Sequence, residues 1–320
     1  MSGKRINKAS RAALLMGLAL LVIMTLPGSL FGQAKVGTAG AKFLDIGVSA
    51  RAVGMGEAYS AISNDISAIY YNPAGLTQLF SREVMFSHID YSADMTFDFA
   101  GIAFPVEAVS GMIGIGVYFF NTGDIPLTTY GHPEGTGEYF RAYDYAFTLT
   151  YARSLTEHFS LGTTFKYIGE FYDDASAQGW AADVGTLYDT GYRGFKLAIS
   201  IVNFGADLKM SQVPYPLPIN FKFGGSFNFI ESPDHLAVIC LEGAHPSDNL
   251  EQYNAGIEYW YLEKFSLRIG NRFNYDSDGL TWGAGLKWPF GEASEIRIDY
   301  GYQDMDLLRE IHRFSLTVAF

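Results

Sequence analysis

The residue types able to do chemistry are few in this chain and poorly spaced for it. Six histidines (His88, His132, His158, His235, His245 and His312) are scattered along 320 residues. No two share a helical i, i+4 spacing, and neither an HExxH nor a CxxC run occurs, so no metal site is expected. Cys240 is the sole cysteine, which rules out an internal disulfide. Its place in the apolar run "HLAVICLEG" makes it a small buried hydrophobe rather than a reactive thiol. The stretch Gly111 to Gly116, "GMIGIG", has the glycine density of a phosphate loop but lies inside a strand pattern, where close packing against an inner element explains it better. No GxSxG elbow is present. No catalytic residue, metal or cofactor is therefore expected, and the chain does not read as an enzyme.

What remains is a set of charged residues on the polar faces of alternating segments: Lys166, Glu170, Lys222, Glu258, Arg268, Arg272, Glu295, Arg297 and Asp299. Facing a closed interior, they could line a selective aqueous path or pair with one another and with an inner plug. A selectivity filter usually shows one sign of charge, and here both are present. Mutual pairing is the expectation, because polar groups hidden from water need partners.

The elements that would hold these residues are strands. Phe159, Leu161, Thr163, Phe165, Tyr167 and Phe171 fall on one face of a period-two segment, with Ser160, Gly162, Thr164, Lys166 and Glu170 on the other. Phe221 to Phe229, Tyr253 to Tyr261, Phe265 to Ile269 and Ile296 to Tyr302 repeat the pattern. From Ser81 onward about fourteen such segments follow, an even number suited to a transmembrane antiparallel β-barrel, oily outside and polar within. They start near residues 82, 95, 110, 142, 159, 179, 195, 219, 235, 251, 264, 280, 293 and 310. The segment near 235 is apolar on both faces, and its facing stays open. "VEAVSG", "RSLTEH", "DTGYRG", "ESPD" and "LEK" are short connections. They alternate with the longer "NTGDIPLTTYGHPEGTGEYFRAYD", "GADLKMSQVPYPLP" and "HPSDNLEQ", as periplasmic turns alternate with extracellular loops. Aromatic residues near strand ends, as in "EFYDD" and "EYWYLEKF", suit a girdle at the membrane–water boundary.

Composition agrees. Charged residues make up 18% and aromatics 16%, which fits a lipid-facing surface and excludes a disordered chain. The net charge of −12 argues against nucleic acid as a partner. Lys4, Arg5, Lys8 and Arg11 precede the apolar run Ala12 to Leu26 and "PGSLFGQA", the layout of a secretory signal peptide over residues 1–33. Its removal would leave −12 − 4 = −16.

Residues 34–80 differ in character. They are rich in Ala, Gly and Ser, with apolar residues nearer helical than strand spacing. In "YYNPAGLTQL" Asn72 fits an N-cap and Pro73 the first helical position. A segment this short is marginal alone; inside a lumen it could bury itself against the wall as a partly helical plug, with the Asn-Pro turn redirecting the chain into a barrel over 81–320. The last strand sets Phe314, Leu316, Val318 and Phe320 on one face and ends on an aromatic residue. This resembles the C-terminal signal by which bacterial barrels are recognised for outer-membrane insertion, and implies the barrel-assembly machinery and outer-membrane lipid as partners.

The stretch "FLDIGVSARAVGMGEAYSAISNDISAIYYNPAGL" resembles the N-terminal signature of the PorV/PorQ outer-membrane family, itself similar to the FadL hydrocarbon transporters. The matching positions are Ala50, Arg51, Ala52, Gly54, Met55, Gly56, Ala58, Asn72, Pro73, Ala74, Gly75 and Leu76; Tyr71 departs from the family's usual Trp. The resemblance implies a bacterial outer-membrane protein that helps export or surface attachment of proteins by type IX secretion. Secreted cargo or secretion components would bind its extracellular loops, above all Asn121 to Tyr143 and "KMSQVPYPLP". The FadL likeness implies the alternative, transport of fatty acids or other hydrophobic small molecules through a gap in the wall. "AFPVE" and the Gly-rich third strand are the candidate positions for such a gap.

Overall fold

The computed structural model describes residues 36–91, 95–275, 279–291, 294–305 and 310–320. The expected signal peptide lies outside them.

The alternating segments form strands. β1 (Glu83–Asp90), β2 (Thr96–Val106), β3 (Gly111–Pro126), β4 (Tyr139–Ser154), β5 (Phe159–Tyr172), β6 (Ala175–Asp189) and β7 (Lys196–Gly205) are followed by a small pair, β8 (Leu208–Met210) and β9 (Val213–Tyr215). β10 (Asn220–Glu231), β11 (His235–Pro246), β12 (Gln252–Tyr261), β13 (Phe265–Phe273), β14 (Leu280–Pro289), β15 (Glu295–Gln303) and β16 (Ile311–Ala319) complete the chain. Apart from β8 and β9, which pair only with each other, the strands form one closed antiparallel barrel of fourteen in which each pairs with its neighbours in sequence and β7 pairs with β10. β1 and β16 close the seam from Glu83↔Ala319 to Asp90↔His312, and Arg82 and Phe320 exchange backbone hydrogen bonds just beyond it.

Side-chain facing follows the alternation. Leu161, Phe165, Phe223, Leu267, Ile269, Phe314 and Leu316 are exposed on the outside, while Thr164, Lys166, Arg268 and Asp299 are buried within. β11 resolves the segment left open: Val238, Cys240 and Glu242 point inward and Ile239 and Leu241 outward. Cys240 is buried among apolar residues of wall and plug. The outer rings Phe119, Tyr143 and Phe171 stack in a row at 6.2 and 4.9 Å.

The turns 107–110, 155–158, 190–195, 232–234 and 262–264 and the ends of the barrel sequence share one end of the cylinder; the two longest connections, 127–138 and 206–219, share the other with the shorter links 173–174 and 247–251, the last of which was read as long. The longest link is partly strand. β3 and β4 keep pairing through Asp124↔Arg141 to Pro126↔Tyr139, beyond the last β2 partner at Asn121↔Thr96, so a two-stranded ribbon stands above the rim. Neither wall position expected to break does so. Phe104 and Pro105 pair with Ile113 and Met112, and Met112 to Gly116 are paired on both sides. Register shifts occur elsewhere, near the barrel ends in β3–β4 after Asn121 and in β10–β11 after Asn228, and in β7, which shifts against β6 between Ala182 and Val184 and carries Asn203 at φ 60°. Above it, β8 and β9 cover the stretch between β6 and β10, with Leu208 and Leu217 buried.

Residues 36–80 occupy the lumen. Gly37 donates to the Asp248 carbonyl and Gly40 to that of Pro216, both at the long-link end, while Arg82 meets Phe320 at the short-turn end. The plug therefore runs the length of the cylinder. It contains only short helical pieces, Lys42–Asp45, Ala50–Val53, Ala68–Tyr71 and Pro73–Gln78. Such short pieces have little stability of their own, so the wall must supply it.

Candidate functional site: the plug–wall contact

Paired glycines on the inner wall receive the plug. Gly162 and Gly185 are register partners on β5 and β6. A Cβ at either would run into the Asn72–Pro73 turn. Gly256↔Gly270 on β12 and β13, and Gly283↔Gly301 on β14 and β15, are likewise paired; Cβ atoms there would collide with Met55–Gly56 in the first pair and with Ala50 and Gly54 in the second. Gly114, inside the glycine-rich run of β3, faces Ile69 and Leu76. Only glycine lets two backbones approach this closely.

Most of the plug residues singled out by sequence lie at these contacts. Asn72 caps Pro73–Gln78 by accepting from the Ala74 amide at 3.2 Å and donates to the carbonyls of Ser60 and Thr186 at 3.0 and 3.1 Å. Ala74 and Leu76 are fully buried, and a Cβ at Gly75 would strike Ser63. Gly56 has φ +63°, and Glu57 next to it φ 62°, a left-handed pair that turns the chain on the wall.

Arg51 begins a closed ring of charge. Its Nε and Nη2 each donate to the Glu258 carboxylate at 2.7 Å. Arg268 donates to Glu258 at 2.6 Å and to Asp299 at 2.7 Å. Arg297 donates to Asp299 at 2.9 Å and to Asp65 at 2.6 Å, and Asp65 lies 3.4 Å from Arg51. Three guanidinium groups and three carboxylates thus alternate around a ring of no net charge, all buried. Two members, Arg51 and Asp65, belong to the plug. Tyr59 donates to Asp65 at 2.7 Å, and the Trp260 ring lies 6.0 Å from the Arg51 guanidinium and 5.5 Å from that of Arg268. Burial by itself would raise the Asp65 carboxyl, but Arg297 and Arg51 outweigh it and hold the group well below the usual carboxylate range.

The other lumen charges also have partners. Lys166 meets Asp183 at 2.8 Å and Asn203 at 2.6 Å. Glu170 accepts from the Ala41 amide at 3.1 Å and Tyr215 at 2.5 Å. Lys222 lies 4.0 Å from Glu242, Arg272 3.6 Å from Glu57, and Glu295 2.7 Å from Lys287 at the rim. Glu242 accepts from the amides of Tyr59 and Ser60 at 3.3 and 2.9 Å. Sequence reasoning did not single out Asp65, Asp183 or Glu242. A lone carboxylate in an otherwise apolar run, as in "ICLEG", was the available signal. Among the described residues no group of three or more His, Cys, Asp or Glu could hold a metal ion.

At the C-terminus, Phe314, Leu316 and Phe320 are exposed on the outer face and Val318 half-buried, in register with β1 and β15. No curated protein matches the sequence. Solved structures share the fold. The toluene transporter TodX of Pseudomonas putida aligns at TM-score 0.57 and 11% identity, over 83% of this chain and 96% of that one. A FadL homologue of Pseudomonas aeruginosa aligns at 0.55 and 11%, over 85% and 98%. The family model for the type IX secretion system protein PorV matches residues 31–244. A barrel latched to its own plug by the "SARAVGMG" and Asn-Pro segments, under that match, makes the chain a bacterial outer-membrane β-barrel protein of the PorV family.

Proposed function

We propose that this protein acts in protein export or surface attachment by type IX secretion, binding secreted cargo or secretion components through its extracellular links. The observation that carries the reading is the β3–β4 ribbon, which stands above the barrel with Tyr130 and Tyr139 exposed. A ribbon on a rigid barrel presents such side chains in a defined geometry. The segment 206–219, folded as β8 and β9, lies at the same end and supplies the second part of the surface. Affinity capture from native outer membranes tests this: secreted proteins sharing a C-terminal sorting domain should co-purify, and removal of residues 127–138 should release them. Recovery of none, from cells that make such cargo, overturns the reading.

A second reading is transport of hydrophobic small molecules. The register shift in β7, and the replacement of regular wall by β8 and β9 above it, favour it. A purified barrel that retains fatty acid but captures no cargo would select this one.

A further inference from the structure

Two cavities enter the lumen from opposite ends along the same wall. One, of about 500 Å³, opens among the short turns, touching Asp234 and Glu263, and reaches inward to Arg51 and Glu258. The other, of about 190 Å³, opens at the long-link end beside Lys42 and Asn249 and reaches Glu57, Lys222 and Asn254. Both are lined by β10, β11 and β12. On β12 the lining passes from Asn254 in one cavity to Glu258 in the other, and on β10 from Lys222 to Ser226. The inward positions between them are Gly256 and Gly224, so at about 3.3 Å per residue the dividing layer is about 13 Å deep along β10 and β12, and about 20 Å along β11, where the lining passes from Val238 to Ala244.

The layer is built from few groups. From the plug come the Met55–Gly56 turn, seated on Gly256 and Gly270, and the Tyr59 and Ser60 amides held by Glu242. From the wall come Cys240 and Glu242. Glu57 Oε1 on one side of it and Arg268 Nη2 on the other are buried without a hydrogen-bond partner. Polar atoms so placed favour hydration over dry packing. The rest of the plug is seated differently, with Ile69 and Leu76 packed into apolar contact against β3.

We propose that the β10–β13 wall carries a polar permeation path for small hydrated ions and zwitterionic solutes, and that the Met55–Gly56 turn is its gate. Both signs of charge line it, Lys196 and Lys287 with Asp234 and Glu263 in the larger cavity, Lys42 and Arg272 with Asp45 and Asp248 in the smaller. A path so lined discriminates weakly between cations and anions. It is independent of the cargo-binding reading, since it uses neither the ribbon nor the β8–β9 pair.

Planar-bilayer conductance of the whole purified protein tests the gate. Gly56→Ala places a Cβ 2.8 Å from the Asn271 amide nitrogen at φ +63°, which lifts the turn from the wall. Met55→Gly removes the side chain behind it. Each should raise single-channel conductance several-fold over the wild type, with a reversal potential near zero in a salt gradient. Leu76→Ala, which loosens the plug on the opposite side, should not. Heat-modifiable gel mobility identifies which variants are folded barrels. A second measurement covers a variant that fails to fold: in a Cys240→Ser background, Asn254→Cys should react with a charged thiol reagent only from the long-link side, and Val238→Cys only from the short-turn side. Wild-type conductance in folded gate variants, an equal rise in Leu76→Ala, or reaction of both cysteines from one side would overturn the proposal.

Discussion

Replacing Arg51 with alanine takes one corner out of the buried ring of charge. Three carboxylates then face two guanidinium groups, and the interior gains a net negative charge. Breaking a buried ion pair by removing one partner costs about 3–5 kcal/mol. Here Glu258 keeps Arg268 and Asp65 keeps Arg297, which places the loss at the lower end, about 3 kcal/mol. At 1.4 kcal/mol per tenfold this lowers the ratio of docked to undocked plug by about a hundredfold. Hydrogen exchange in nanodiscs reads that ratio directly, because the amides of residues 49–56 exchange only when the segment leaves the wall. Those amides should exchange about a hundredfold faster in Arg51→Ala, while amides of β4 and β5 keep their wild-type rates. Arg51→Lys restores a charge without the two-pronged geometry and should fall between. Wild-type exchange of 49–56 in Arg51→Ala would refute the idea that the ring latches the plug.

Other outcomes follow from the same contacts. Asn72→Ala removes one capping acceptor and two donors, a loss of about 2–4 kcal/mol at roughly 0.5–1.5 per bond, and should make the plug cleavable by protease in proteoliposomes; Asn72→Asp, which keeps only the acceptor, should not rescue it. Gly162→Val drives a side chain into the Pro73–Ala74 backbone, and the same protease assay should show the plug displaced while heat-modifiable mobility shows the barrel intact. The Asp65 carboxyl is depressed in the docked state, so its contribution is present above the ordinary carboxylate range, about pH 4, and is lost as pH falls toward its lowered value. Plug exchange should accelerate across that acid window in the wild type and accelerate less there in Asp65→Asn, where Glu258 still pairs with the plug's Arg51. Deleting Phe320 removes the terminal outward ring and both backbone bonds to Arg82, and should lower the fraction of folded barrel recovered from outer membranes.

Strands were legible because lipid outside and polar groups inside force strict alternation, and the observed starts lie within a few residues of those expected. β6 begins at Ala175 rather than near 179 because small residues, Ala175, Ser176 and Ala177, carry its first turns of alternation. The β3–β4 ribbon was read as loop: above the membrane neither face needs to be apolar, so its strands leave no pattern. β8 and β9 are too short to leave one. Within the ring, Arg51, Glu258, Arg268, Arg297 and Asp299 were each visible as types, but their connection was not. Arg51 and Glu258 are 207 residues apart, and only the closed register of the cylinder brings them together. The glycine pairs were hidden for the same reason, since a glycine's facing and its partner across the ladder are properties of the sheet.

The course of the plug has a consequence for assembly. Its leading part rests at one mouth of the cylinder and its trailing part at the other, so it cannot be slipped in sideways once β1 and β16 have zipped together. The sheet must wrap around it, as cloth is rolled on a mandrel, and the stitching of that last hem is the committing step. A lesion that slows the folding of residues 36–80 should therefore slow closure of the β1–β16 seam.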